Sequence, residues 1–223
     1  MLQQIKSFFT DLFKPKPKPS PLVVYREMEF YFKGPQANIW SGDSVAFNAD
    51  TFIENDASEP IVSTAIPGDN TKTFLARIDN NILKFQPKKV LLHISGNDFL
   101  GGKNPDDTLN NMKLIYQKLK AGGVEKIGWI ETLPLGNMNI AVLIAKPDIM
   151  ALNLVKIPQF ILKMKLLGLY DVVEIRKQLQ KNDGFIQDKY NAGDNIHCNA
   201  LAYQEVWVPI IKGWFSKWNY KNY

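Results

Sequence analysis

Between Asn38 and Ile175 the apolar positions of the chain alternate between two rhythms. Short, nearly unbroken apolar runs have the length and β-branched content of buried strands: ANIW, PIVSTAI, KKVLLHIS, KIGWIETLPL and YDVVEI. Between them the spacing changes to three and four. Phe74, Leu75, Ile78, Ile82 and Phe85 predict a helix from about Thr71 to Phe85. Leu109, Met112, Ile115, Tyr116 and Leu119 predict another from about Pro105 to Ala121, closed by Gly122-Gly123. Strands that alternate with helices, and are apolar along their whole length, predict an α/β fold whose mainly parallel sheet is covered on both faces.

In such a sheet the ligand site lies beyond the carboxyl ends of the strands. Three polar, glycine-bearing turns fall there: Gly42-Asp43-Ser44, Pro67-Gly68-Asp69 and Ser95-Gly96-Asn97-Asp98. Near the end of the chain Asp194 and His197 are three residues apart, close enough for a carboxylate to reach an imidazole on one turn. A serine that acts as a nucleophile near neutral pH needs a base, and histidine is the usual one. Of the two histidines, His93 lies inside an apolar strand and reads as structural, whereas His197 has an acid beside it. Acyl chemistry at Ser44 would also need donors for an oxyanion. The backbone N–H of Ser44, the backbone N–H of Gly68 and the side-chain amide of Asn97 are the candidates. Asp43, Asp69 and Asp98 read as braces of their turns, and Cys198 as a small buried residue.

Composition narrows the picture without changing it. The 223 residues are 45% hydrophobic and 22% charged, enough for one substantial core but cramped for two. One cysteine excludes an intramolecular disulfide framework, and no metal site or cofactor motif is evident. The net charge of +5 is concentrated at the start, where Lys6, Lys14, Lys16 and Lys18 outnumber Asp11. A nucleic-acid face is therefore not expected. Trp207, Ile210, Ile211, Trp214 and Trp218 recur at helical spacing and read as a core stripe rather than a stacking platform.

Two segments keep alternative readings. Residues 1–13 place Leu2, Ile5, Phe8, Phe9, Leu12 and Phe13 on one helical face, followed by the Lys-Pro spacer KPKPKPSP. This is either an anchor for a membrane surface or partner, or a helix packed on its own domain. The Met-rich stretch from Met138 to Leu169 is either an acyl-pocket wall or lid, or a pair of core helices. The expected organisation is a tail at 1–21 and one domain at 22–223. With no long apolar span and no standard signal peptide, the expected location is cytoplasmic, with peripheral membrane contact through residues 1–13.

Taken together, SGDSV, AIPGDNT, SGND and DNIHCNALAY resemble, in order, the four blocks of the SGNH, or GDSL-like, hydrolase superfamily. The resemblance spans about Asn38 to Tyr203. Ser95 stands at the usual glycine of the third block, and Val45 follows Ser44 where leucine is usual. The resemblance implies a three-layer α/β/α sandwich with a five-stranded, flavodoxin-like parallel sheet. It implies Ser44 as nucleophile, His197 as base and then acid, Asp194 as its orienting partner, and Ser44, Gly68 and Asn97 as the oxyanion hole, with no cofactor. The expected activity is hydrolysis of a carboxylic ester through an acyl-enzyme. A lipid-like or lysophospholipid ester and an acetylated sugar both remain open as substrates, as do acyl transfer by the same residues and a non-catalytic binding role.

Overall fold

In a computed structural model of the protein, which describes residues 38–53, 61–136, 148 and 151–218, five parallel strands form one sheet. They are β1 (Asn38–Gly42), β2 (Ile61–Ser63), β3 (Lys89–His93), β4 (Lys126–Ile130) and β5 (Asp171–Val173), in the order β2-β1-β3-β4-β5. The strand runs read from the sequence hold, but the ladders are shorter than those runs. KIGWIETLPL pairs only through Ile130, and Glu131 to Gly136 continue as a loop over the sheet's carboxyl edge. The helix expected at residues 1–13, the Lys-Pro spacer and most of 138–150 lie outside the described residues.

Helices cover both faces, giving the expected three layers. On one side α1 (Ser44–Ile53) packs against α7 (Val208–Lys217), over Trp40, Leu91 and Ile130 of the sheet. On the other, α2 (Thr71–Asn81), α4 (Pro105–Ala121) and α5 (Ile157–Leu167) pack in a row. The short α3 (Gly96–Leu100) follows β3, and α6 (Arg176–Leu179) follows β5. The helix read as Thr71 to Phe85 ends at Asn81, and Leu83–Phe85 tighten into a 3₁₀ turn closed by left-handed Gln86. The tryptophan stripe is largely core: Trp207, Ile211 and Trp214 are buried, and Trp214 Nε1 donates to Asp171 Oδ2 at 2.7 Å.

Two helices begin after a wide π turn, Leu152–Lys156 before α5 and Tyr203–Trp207 before α7. Each π turn leads into a proline, Pro158 or Pro209, near the start of the following α-helix. A proline ring clashes with the carbonyl four residues back and offers no N–H, and the wider turn accommodates both.

The strand order reverses direction between β1 and β3, and there the carboxyl ends open a crevice. Gly42 pairs with His93 across that junction and has φ +156. A Cβ at Gly42 would lie 1.9 Å from the His93 carbonyl oxygen, so only glycine lets the chain turn from β1 into α1 at this spacing.

Candidate active site

Asp43 sits between β1 and α1 and acts as the cap of that helix. Its Oδ1 accepts from Val45 N–H at 3.0 Å, and its carbonyl accepts from Phe47 N–H at 3.0 Å. Ser44 is thereby held as the first residue of α1, with its own N–H among the unpaired donors of a helix N-terminus. Its Oγ lies 2.8 Å from His197 Nε2. Across the ring, His197 Nδ1 lies 2.5 Å from Asp194 Oδ2. Because an ionised carboxylate only accepts, Nδ1 carries the proton, and Nε2 offers its lone pair to the serine hydroxyl.

The Asp194 loop is built to fix that geometry. Asp194 Oδ1 accepts from the backbone N–H of Ile196 at 2.9 Å and of His197 at 2.8 Å. Burial pushes the Asp194 carboxyl up, but the bonds from the His197 ring and these two N–H groups outweigh it and hold it well below the usual carboxylate range. The loop is tied back by Asn195, at φ +63, whose carbonyl accepts from Gly136 N–H at 2.8 Å.

The other two turns meet at the same edge. Asn97 Nδ2 donates to the Asp69 carbonyl at 2.8 Å, joining the turn after β3 to the turn after β2. Gly68, at φ +85, is exposed on that second turn. Asp69 accepts from Thr73 Oγ1 at 2.9 Å and from Arg77 Nε at 2.5 Å, and Arg77 Nη2 reaches the Gly42 carbonyl at 3.4 Å. Asp98 accepts from Thr71 N–H and Oγ1 at 2.8 and 2.7 Å. All three turn aspartates thus act as braces, which also explains why none is presented as a reacting group.

A shallow, open cleft adjoins Ser44. Its polar lining is Asp43, Ser44, His93, Asn97 and Thr132, and Val45, Phe99, Leu133, Leu135, Leu152 and Ile157 supply much of its apolar wall. Gly68 is not among the lining residues, so the cleft directly joins Ser44 and Asn97, and Gly68 is linked to them through Asp69. Cys198 beside the imidazole is buried, which pushes its thiol up to about 12 and leaves it uncharged. Among the described residues no group of His, Cys, Asp and Glu is arranged to hold a metal ion.

Sequence reasoning missed Arg77, Thr132 and the polar side of His93. Thr132 follows β4 at the carboxyl edge, the position that the ligand rule for parallel sheets singles out. Arg77 carries no such signal, because only the folded α2 brings it back to Asp69.

No family model matches the chain. Over 67 residues it is 34% identical to thioesterase 1/protease 1/lysophospholipase L1 of Escherichia coli strain K12, which is 30% of this chain and 32% of that protein. The chain therefore aligns with about a third of the length of that relative. Among solved structures, a GDSL-like lipase from Bacteroides thetaiotaomicron superposes with TM-score 0.68 at 17% identity, covering 89% of this chain and 98% of the other. An acetyl xylan esterase gives TM-score 0.62 at 17% identity, covering 81% and 98%.

Proposed function

We propose, from the order of its motifs and the likeness of its fold to that of a GDSL-like lipase, that the chain is an SGNH, or GDSL-like, hydrolase and acts as a serine esterase with an apolar acyl site. The observation that carries this reading is the linear relay Ser44 Oγ, His197, Asp194, with contacts of 2.8 and 2.5 Å. Ser44 Oγ attacks the acyl carbon as its proton passes to His197 Nε2. The imidazolium that forms is stabilised by Asp194 and gives its proton to the leaving alcohol. Water then attacks the acyl-enzyme, losing a proton to Nε2, and the acid departs with Ser44 Oγ regenerated. Ser44 N–H, Gly68 N–H and Asn97 Nδ2 are the donors proposed for the oxyanion in both halves.

The cleft lining favours an apolar acyl chain over acetyl on a sugar. Val45, Phe99, Leu133, Leu135, Leu152 and Ile157 offer a hydrocarbon chain contact along its length, whereas a sugar would find few polar partners beyond the immediate surroundings of Ser44 among the described residues. The thioesterase and lysophospholipase names carried by the E. coli relative agree with acyl-chain chemistry.

Two measurements test the proposal. Ser44→Ala should abolish hydrolysis of nitrophenyl esters and labelling by a fluorophosphonate, and unchanged turnover with the fold intact would sink it. A series of acyl lengths should show kcat/KM rising from acetyl towards medium chains. A sharp preference for acetyl would remove the apolar-chain assignment while leaving the esterase standing.

A further inference from the structure

The segment that walls the cleft has a second face. Leu152 and Ile157 line the cavity, and Ile157, Phe160, Ile161 and Met164 bury one side of α5. Phe160 stacks edge-on against Phe99 and Trp129, which fixes the helix on the sheet. The opposite side is not uniformly polar, as a solvent face normally is, because leucines stand among Gln159, Lys163 and Lys165. Leu162 is 57% and Leu166 77% exposed, one turn apart, and Leu154 and Val155 are exposed in the π turn before them. Four of the six large hydrophobic residues exposed among the described residues thus lie within this one segment.

Its charges are of one sign. From Ile149 to Tyr170 the chain has three lysines, Lys156, Lys163 and Lys165, and no carboxylate. At helical spacing Lys163 and Lys165 flank the Leu162 and Leu166 strip on either side. Two acids from other elements touch this rim: Lys163 pairs with Asp106, and Lys165 with Glu174, which also binds Lys177. These pairs are exposed on both sides, so the lysines can exchange partners at little cost. Leucines on the outward crest of a helix with lysines at its shoulders match an interface between hydrocarbon and anionic headgroups. The leucines enter the acyl boundary, and the lysine stems follow them while the ammonium groups stay at the phosphates.

We propose that the Leu162–Leu166 face of α5 docks on a phospholipid surface carrying anionic headgroups, so that the element walling the acyl cleft is also the one that meets the lipid. Docking does not depend on the esterase assignment, because it is read without turnover. The experiment is co-sedimentation of the full chain with phosphatidylcholine vesicles that contain or lack phosphatidylglycerol, at low and high salt. The wild type should partition preferentially to the anionic vesicles, and less so in high salt. The double variant Leu162→Gln/Leu166→Gln should partition about tenfold less or weaker. Its cleavage of a short soluble nitrophenyl ester should be unchanged, which checks that the fold survives. Lys156→Gln should lose only part of the anionic preference. Equal partition of wild type and double variant would overturn the proposal and shift any binding to another part of the chain, such as residues 1–13. A wild type that dimerises without lipid, with a monomeric double variant, would also overturn it, because a second copy would then cover the face.

Discussion

Two histidine–aspartate pairs converge on the turn that carries Ser44, and they are built for opposite purposes. His93 Nδ1 donates to Asp43 Oδ1 at 3.1 Å, with side chains only 2% and 3% exposed. His197 and Asp194 form the same kind of pair with side chains 27% and 40% exposed. The difference lies in the second ring nitrogen. His197 Nε2 faces Ser44 Oγ beside an open cleft, whereas His93 Nε2 is buried with no hydrogen-bond partner among the described residues, its ring edge-on to Trp207 at 5.1 Å. Pairing with a carboxylate therefore does not make a base. The proposed base also needs a proton donor at its far nitrogen and access for water, and of the two rings His197 is the one placed for both. The inner pair instead holds Asp43, and through the Asp43 cap it holds the serine.

The largest effect should come from exchanging the fates of the two histidines. His197→Ala is expected to lower kcat about 10⁴-fold or more with the unfolding midpoint in urea nearly unchanged. His93→Ala should do the reverse, costing about 3 kcal/mol of stability because it leaves a buried carboxylate with the Val45 N–H but without its ring partner and opens a cavity. Below its lowered melting temperature it should retain much of its turnover. Comparable activity losses in the two variants would break the distinction.

The aspartates sharpen it at a finer grain. Asp194→Asn keeps the size of the side chain but disfavours the working tautomer of His197, and kcat should drop about 10³-fold or more. Asp43→Asn still offers an oxygen to Val45 N–H and His93, so it should cost about 1 kcal/mol of stability and less than tenfold in kcat. Steady-state kinetics on a soluble ester, with urea unfolding alongside, separates the two.

Much of this could be read in the sequence, for a physical reason. Strands buried on both faces must be apolar throughout, so the runs announce themselves, with the half-buried edge strand β5 still legible in YDVVEI, and the polar turns after β1, β2 and β3 stand out against them. The Asp194 and His197 pair was legible because its spacing is local. The Asp43–His93 bond, the Arg77 tie and the π turns were not, since each depends on which elements the fold brings together. The outward leucines of α5 were also illegible, because Leu162 and Leu166 look the same in sequence as the buried Ile161 and Met164 until one face is chosen.

Two residues after His93, Ser95 stands where the related motif usually has glycine, and its φ is +114. An L-residue held in that region stores on the order of 1–3 kcal/mol of strain. Ser95 is fully buried and its Oγ bonds Thr132 Oγ1 at 2.7 Å, which ties the strained turn before Asn97 to the segment after β4. Replacing it separates the two contributions. Ser95→Ala should lose the bond and keep the strain, whereas Ser95→Gly should lose both and fold about as well as the native chain. The glycine variant should thus exceed the alanine variant by about 1 kcal/mol in urea unfolding, against the usual order of the two residues.

The smallest effect is a pH dependence that also belongs to the outer pair. The Asp194 carboxyl titrates lower in the folded chain than the roughly 4 of an unfolded one. Its ionised form therefore adds stability at all pH values above that ordinary range, and the contribution fades as the pH falls through it towards the depressed native value. Asp194→Asn has no such carboxyl to titrate. The stability gap between wild type and Asp194→Asn in urea should accordingly be widest near pH 6 and narrow by pH 3. Asp194 is two-fifths exposed, so solvent screening keeps the gap modest even at its widest. A gap that stays constant across this range would mean that the carboxylate is not held by His197 and the two loop N–H groups in the way its contacts indicate.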